Sequence, residues 1–173
     1  NFFSNLKEPW TSINSALQGD LKNSGKSILR FGLNTTIGLL GIFDVASGLG
    51  FEKQKEDFGQ TLAVYGVQSG PYLVLPLLGP STVRDAIGEV AGIFVDPVTI
   101  ALNKEGKEDW LWIGTAMQGI DFREQNYEKI DNLEATSVDF YATIRSLYLE
   151  RRNKMIRNQS NNQNDPFQEF DIE

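Results

Sequence analysis

A single all-α domain is the fold class this sequence predicts, on three observations. Apolar residues recur at helical spacing in successive segments along most of the chain. The 173 residues suit one domain, and 40% of them are hydrophobic, enough for a core. Two long uncharged stretches, 31–43 and 59–83, are punctuated by glycine or proline and so read as short helices and turns.

The elements follow in order. Leu6, Trp10, Ile13 and Leu17 mark a first helix over 3–18, with Ser4 as its N-cap, Pro9 early in it and Gly19 closing it. A second runs from about 20 to 36, with Leu21, Ser24, Ile28, Phe31 and Thr35 on one face. Gly38 and Gly41 then signal a close backbone approach or a kink. Asp44 precedes a short turn at Val45-Ala46, and 47–57 reads as an exposed loop. A short helix from Asp57 leads to Tyr65, Gly66 to Pro71 is a turn or hairpin, and Tyr72 to Leu75 are briefly extended. Ser81 is the N-cap expected for a helix through Arg84, Ile87, Val90 and Ala91. Residues 96–104 form a short helix or turn, and 107–133 a long helix striped by Trp110, Ile113, Met117 and Ile120. Thr136 to Asp139 start a last helix with Phe140, Ile144, Leu147, Tyr148 and Met155 on its stripe. The domain therefore covers 1–157, and the Asn/Gln-rich, acidic 158–173 reads as a disordered tail.

The stretch 59–83 is long and apolar enough to suggest a membrane span, but Gly66, Gly70, Pro71, Pro76, Gly79 and Pro80 break it. Broken backbone survives at membrane depth only where protein or a water-filled cavity satisfies its polar groups. The stretch is thus either a greasy loop-and-turn core or the wall of an apolar passage. The helical stripes leave the same choice open between core and lipid contact.

Composition narrows the chemistry. With no cysteine and no histidine, disulfides, thiolate nucleophiles, Cys/His zinc sites and histidine bases are excluded. Residues 1–86 hold seven Lys/Arg and seven Asp/Glu, whereas 87–173 hold nine and sixteen. An acidic chain without clustered Lys/Arg is a poor nucleic-acid binder. Gly66 to Gly70 is no phosphate loop, lacking the closing Lys-Ser/Thr and the strand-to-helix context. Among the charges of the apolar half, Arg30, Asp44, Asp57, Arg84 and Asp85 lie within or beside its uncharged stretches. Structural ion pairs are their expected role, with Arg84-Asp85 anchoring a helix start. Asp44 and Asp57 could also serve a lipid-modifying enzyme as paired carboxylates, though nothing in the sequence brings them together, and a structural adaptor docking envelope proteins through the acidic back half is a further alternative. No metal-ligand cluster and no cofactor motif is legible.

Four segments carry a resemblance: NFFSNLKEPWTSINSALQGD, RFGLNTTIGLLGIFDVAS, EDFGQTLAVYGVQSGPYLVLPLLGPSTVRDAIG and, more weakly, SVDFYATIRSLYLERR. Together they resemble the MlaA (VacJ) phospholipid-binding lipoproteins of the Gram-negative outer envelope. The resemblance implies a helical ring or disc in the inner leaflet of the outer membrane, around a central amphipathic channel. Through it, phospholipids that stray into the outer leaflet pass passively to a periplasmic carrier, MlaC, with trimeric porins as neighbours in several relatives. No covalent step and no cofactor is implied. The family's pore-side hairpin loop falls on Tyr65, Gly66, Val67, Gln68, Ser69, Gly70, Pro71 and Tyr72. Some relatives have glycine in place of Gln68, so a stiffer hinge is expected here. Arg30, Asp44, Arg84 and Asp85 would brace the ring. The family's lipid-attachment cysteine and first helix normally lie upstream, and the opening at Asn1-Phe2-Phe3 reads as a trimmed start.

Overall fold

Capping residues set where the helices begin. Asp20, Asp44, Asp57 and Asp139 each accept a hydrogen bond from the backbone amide three residues on, the bond that satisfies an orphan donor of a first turn. They open α2 (Leu21–Thr36), α3 (Val45–Gly48), α4 (Phe58–Val64) and α6 (Phe140–Ile156). Helix α1 (Phe2–Leu17) starts after Asn1 without a side-chain cap; Ser4, expected in that role, lies inside the helix and accepts a bond from Lys53 Nζ at 2.8 Å. Helix α5 (Val83–Val95) follows the strands β1 (Tyr72–Leu75) and β2 (Gly79–Thr82). Its cap is Thr82 and not Ser81: the Thr82 hydroxyl accepts from the Asp85 amide at 3.3 Å and donates to Asp85 Oδ2 at 2.8 Å. That reciprocal arrangement resembles a capping box.

This computed structural model describes residues 1–76, 79–95, 99–100, 104, 106 and 131–157. Most of the expected elements at 96–104 and 107–133, and the tail 158–173, lie outside the described residues. Among those described the fold is helical, as expected, with one addition: β1 and β2 pair antiparallel, Tyr72 opposite Thr82 and Leu75 opposite Gly79. The chain reversal of that hairpin therefore falls between Leu75 and Gly79, beyond the segment 66–71 where the sequence allows a hairpin. Residues 66–71 instead connect α4 to β1. The ribbon tolerates Pro80, since among the described residues its strand has one partner and a missing donor on the other edge costs no ladder bond.

Helices α1 and α2 pack along each other, α4 packs on α5, and α6 lies against α4 and β2. Small polar residues make the first crossing: Ser12 Oγ donates to Ser24 O at 3.1 Å and lies 3.0 Å from Ser24 Oγ, and Asn5 Nδ2 donates to Thr35 Oγ1 at 2.9 Å. Small side chains let backbones approach closely, and in an apolar solvent such polar bonds hold helices together. Beyond α2 the chain turns sharply back toward α1. Gly41 has φ 88°, and a Cβ there would stand 2.4 Å from Asn5 Cβ. Gly41 thus marks the close approach that its position suggested.

Burial is inverted relative to a water-soluble domain. Among the described residues the one buried hydrophobic side chain is Ala46. The interior is instead Asn5, Glu8, Asn14, Arg30, Gln60, Arg152 and further polar groups. Leu21 is 75% exposed and Phe94 74%, with Ile28, Leu29, Leu40 and Phe43 also outside. The expected apolar core is absent from these residues. Ile13, Leu17, Leu21 and Ile28 of the stripes face outward, and Trp10, Phe31 and Leu147 are only half-buried. The helices are amphipathic as predicted, but the stripe is the outer face. No helix among the described residues is long and apolar enough to cross a membrane.

Candidate functional site

Two ionic clusters, buried except for the partly exposed Asp44 and Asp57, and the loop between α4 and β1 make up the candidate site. In the first cluster, Arg30 of α2 reaches Glu8 of α1 through Nε at 2.6 Å and Asp44, the α3 cap, through Nη2 at 3.0 and 3.2 Å. Its Nη1 donates to Ser47 Oγ at 3.0 Å and to the Phe51 carbonyl. Asn34, one turn further along α2, donates to Asp44 Oδ1 at 3.1 Å and accepts from the Ala46 amide at 2.9 Å. Burial pushes the Asp44 carboxyl up, but Ser47, Arg30 and Asn34 together hold it well below the usual carboxylate range. For Glu8 burial outweighs the Arg30 bond and raises it.

The second cluster joins α4, α5 and α6. Arg152 forks onto Asp57, the α4 cap, with both bonds at 2.6 Å, and its Nη2 also donates to Asp85 Oδ1 at 2.9 Å. Asp85 receives Arg84 Nε at 2.9 Å on the same oxygen, and Thr82 Oγ1 and the Tyr148 hydroxyl (2.7 Å) on the other. Burial raises the Asp57 and Asp85 carboxyls, and Arg152 pulls both back below their ordinary values. The expected pairs Arg30 with Asp44 and Arg84 with Asp85 are thus both formed. Asp44 and Asp57 fall in different clusters, each occupied as a helix cap.

The sequence reading misses Glu8, Asn34, Tyr148 and Arg152 as members of these clusters. Arg152 has a signal: it follows Tyr141 by eleven residues and Tyr148 by four, one face of a helix. An arginine among apolar positions nevertheless reads as solvated when the stripe is taken for the core. Glu8 has none, since its partner lies on another helix.

The loop itself is held at three places. The Tyr65 hydroxyl donates to Leu17 O at 3.0 Å, the Arg84 and Val83 amides donate to Ser69 O and Pro71 O at 3.1 Å each, and Tyr72 stacks edge-on against Tyr141. Gly66, Val67, Gln68, Gly70 and Pro71 are exposed, Ser69 and Tyr72 half-buried. Gly66 and Gly70 have φ 88° and 68°, a region open to glycine and costly for a β-branched residue.

A polar ladder links α1 to α4 beside the second cluster. Gln18 Nε2 donates to Glu56 Oε2 at 3.0 Å and to Thr61 Oγ1 at 3.2 Å, and Thr61 donates to Asn14 Oδ1 at 2.8 Å. Burial pushes Glu56 up to about 7, against the Gln18 bond, with Asp57 and Asp20 adding to the rise and Arg152 opposing it. Its folded value lies above the 4.5 of an ordinary glutamate. The native state therefore keeps a proton that the unfolded chain has released, and stability falls as the pH rises through that interval. Glu56→Gln keeps an acceptor for Gln18 without the charge. We expect it to raise stability at pH 8 by about 2 kcal/mol, to leave it little changed at pH 5, and so to flatten the slope between. Thermal melts of both proteins in detergent at the two pH values measure this.

Paired charges within and an apolar coat without define a helical protein built to present its surface to lipid rather than to water. The chain belongs to the MlaA lipoprotein family, whose model matches residues 1–155. It is 35% identical over 154 residues to the intermembrane phospholipid transport system lipoprotein MlaA of Escherichia coli, covering 87% of this chain and 59% of that protein. An uncharacterized protein of Rickettsia bellii is 35% identical over 158 residues, covering 91% and 60%. The chain thus spans about three fifths of the length of these relatives. A solved structure described as the structural basis for maintenance of bacterial outer membrane lipid asymmetry matches with a TM-score of 0.78 and 33% identity, over 90% of this chain and 77% of that one.

Proposed function

We propose that this protein gives phospholipid a passive route from the outer leaflet of a Gram-negative outer membrane to a soluble periplasmic carrier of the MlaC kind. In this reading it lies as a ring in the inner leaflet, and the lipid moves through an amphipathic channel. Trimeric porins are neighbours of the ring. The inverted burial carries the proposal: a coat of leucine, isoleucine and phenylalanine around paired charges is stable against acyl chains and unstable in water. Such a body can give a headgroup polar contacts while its outer face stays in the membrane. Residues Tyr65 to Tyr72 border the passage, with Gln68 and Ser69 offering polar atoms beside Tyr65 and Val67.

An enzymatic reading through Asp44 or Asp57 fits the geometry less well. A general acid or base needs a free lone pair or a proton near its working pH. Both carboxylates are capped onto backbone amides, forked by arginines and held ionised. Transport leaves the lipid intact, and the supply of energy lies elsewhere.

Gly70→Val tests the passage. A Cβ at 70 would adopt positive φ and approach Val83 Cβ to 3.3 Å, so the loop must move while the helices stay. With full-length protein in liposomes holding labelled phospholipid, transfer to the carrier is expected to fall about tenfold, with helical content and melting temperature kept near the parent's. Unchanged transfer by a variant of unchanged fold removes the loop from the route. Release of labelled fatty acid by the parent would replace transport with hydrolysis.

A further inference from the structure

We propose that α6 is the element that positions the 66–71 loop, with Tyr148 and Asp85 as positioning residues acting through Arg84. The functional side of this inference rests on the reading that lipid passes the loop; the positioning itself does not. The Arg84 guanidinium reaches the loop at the Val67 carbonyl, Nη1 to O at 3.5 Å, while its own amide holds Ser69 O. What aims that guanidinium is Asp85 Oδ1, which takes Arg84 Nε at 2.9 Å and Nη2 at 2.8 Å. Asp85 is in turn fixed from α6, by the Tyr148 hydroxyl at 2.7 Å and Arg152 Nη2 at 2.9 Å, one helical turn apart. Charge-assisted bonds therefore run from α6 through Asp85 to Arg84, and Arg84 meets the loop backbone through its own amide and the longer contact to the Val67 carbonyl.

A second connection meets the loop where it enters β1. The Tyr72 ring lies 5.9 Å from the Tyr148 ring and 5.6 Å from that of Tyr141. Tyr148 thus touches both routes: its hydroxyl sets Asp85 and its ring supports Tyr72. The loop's other anchors are the Tyr65 bond to α1, the Val83 amide on Pro71 O and the Val67 amide on Leu62 O, none of which involves α6. Burial in the cluster and the bond to Asp85 both favour the protonated phenol, which keeps Tyr148 a donor at any physiological pH.

Tyr148→Phe separates the two routes, because it keeps the ring and removes the bond to Asp85. No cysteine occurs among the 173 residues, so in this chain spin labels attached through Gln68→Cys and Lys22→Cys report one distance, from the loop to α2. In the same 173-residue chain in lipid nanodiscs, Tyr148→Phe should add a second distance to the distribution. Its population should rise about tenfold, the shift that loss of one hydrogen bond to a charged group produces. Asp44→Asn, which weakens the other ionic cluster, should lower the melting temperature and leave the distance as in the parent. An unchanged distance in Tyr148→Phe overturns the proposal, and so does equal broadening in Asp44→Asn, which would mark a general loosening. A shifted distance with unaltered lipid transfer keeps α6 as the positioning element and removes the loop from the lipid route.

Discussion

Arg30→Met should cost about 3–5 kcal/mol of stability, the largest single loss expected from a side chain in this protein. Arg30 is 2% exposed and bridges α1, α2 and α3 with five bonds. Methionine fills much of the volume but leaves Glu8 and Asp44 ionisable, buried or half-buried, and without their cation. An uncompensated buried charge is far more costly than a missing pair, so the two carboxylates carry most of the loss. The same physics predicts a rescue. Adding Glu8→Gln and Asp44→Asn to Arg30→Met removes the stranded charges, and the amide oxygen introduced by Asp44→Asn can still cap α3. The triple variant should recover at least half of the lost stability. Thermal or urea unfolding of the single and triple variants in the same detergent decides the matter. A triple variant as unstable as the single one would mean that Arg30 acts through packing or hydrogen bonds alone.

The second large effect is expected at Gly88, where α5 meets α4. A Cβ there would lie 2.5 Å from Gly59 N, 2.7 Å from Gly59 Cα and 3.1 Å from Phe58 C. These are backbone atoms of α4, which no rotamer change can move. Gly88→Ala must therefore push the helices apart, at about 2–4 kcal/mol by the usual cost of overpacking a close contact. The displacement also strains the Arg152 fork, because a Cβ at Gly59 would stand 2.6 Å from Arg152 Nη2 and 2.8 Å from Asp85 Oδ1. Gly92, one turn on, is the control. Its nearest neighbours are Trp10 ring atoms at 3.6 to 3.8 Å, ordinary contact distance. Gly92→Ala should be neutral or slightly stabilising through helix propensity. If both alanines melt at the parent temperature, α4 and α5 are not in the close contact described.

The helical class, the positions of α1, α2 and α5, and the glycine-marked approach at Gly41 are legible because each depends on neighbours within a few residues. The caps expected at Ser4 and Ser81 are displaced by one to three positions, since a serine near a helix start competes with the aspartate, asparagine or threonine beside it. Tyr72 to Leu75 show their extended character, but the partner strand Gly79–Thr82 does not: a glycine-proline segment without alternation gives no strand signal until a neighbour pairs with it. The candidate site is half legible. Arg30, Asp44, Arg84 and Asp85 stand out as charges in an apolar half, whereas Glu8, Tyr148 and Arg152 sit in segments where a polar residue looks ordinary.

By itself the sequence determined the amphipathic helices, the absence of thiol and imidazole chemistry and the broken apolar stretch from 59 to 83. Only the tertiary structure decided which side of each helix is inside. Periodicity is the same for a helix that buries its apolar stripe and one that turns it to lipid, because it records that two faces differ and not which solvent each meets. The burial of Glu8 with Arg30 and of Asp85 with Arg152 resolves it, since these paired charges lie inside while the apolar stripes lie outside.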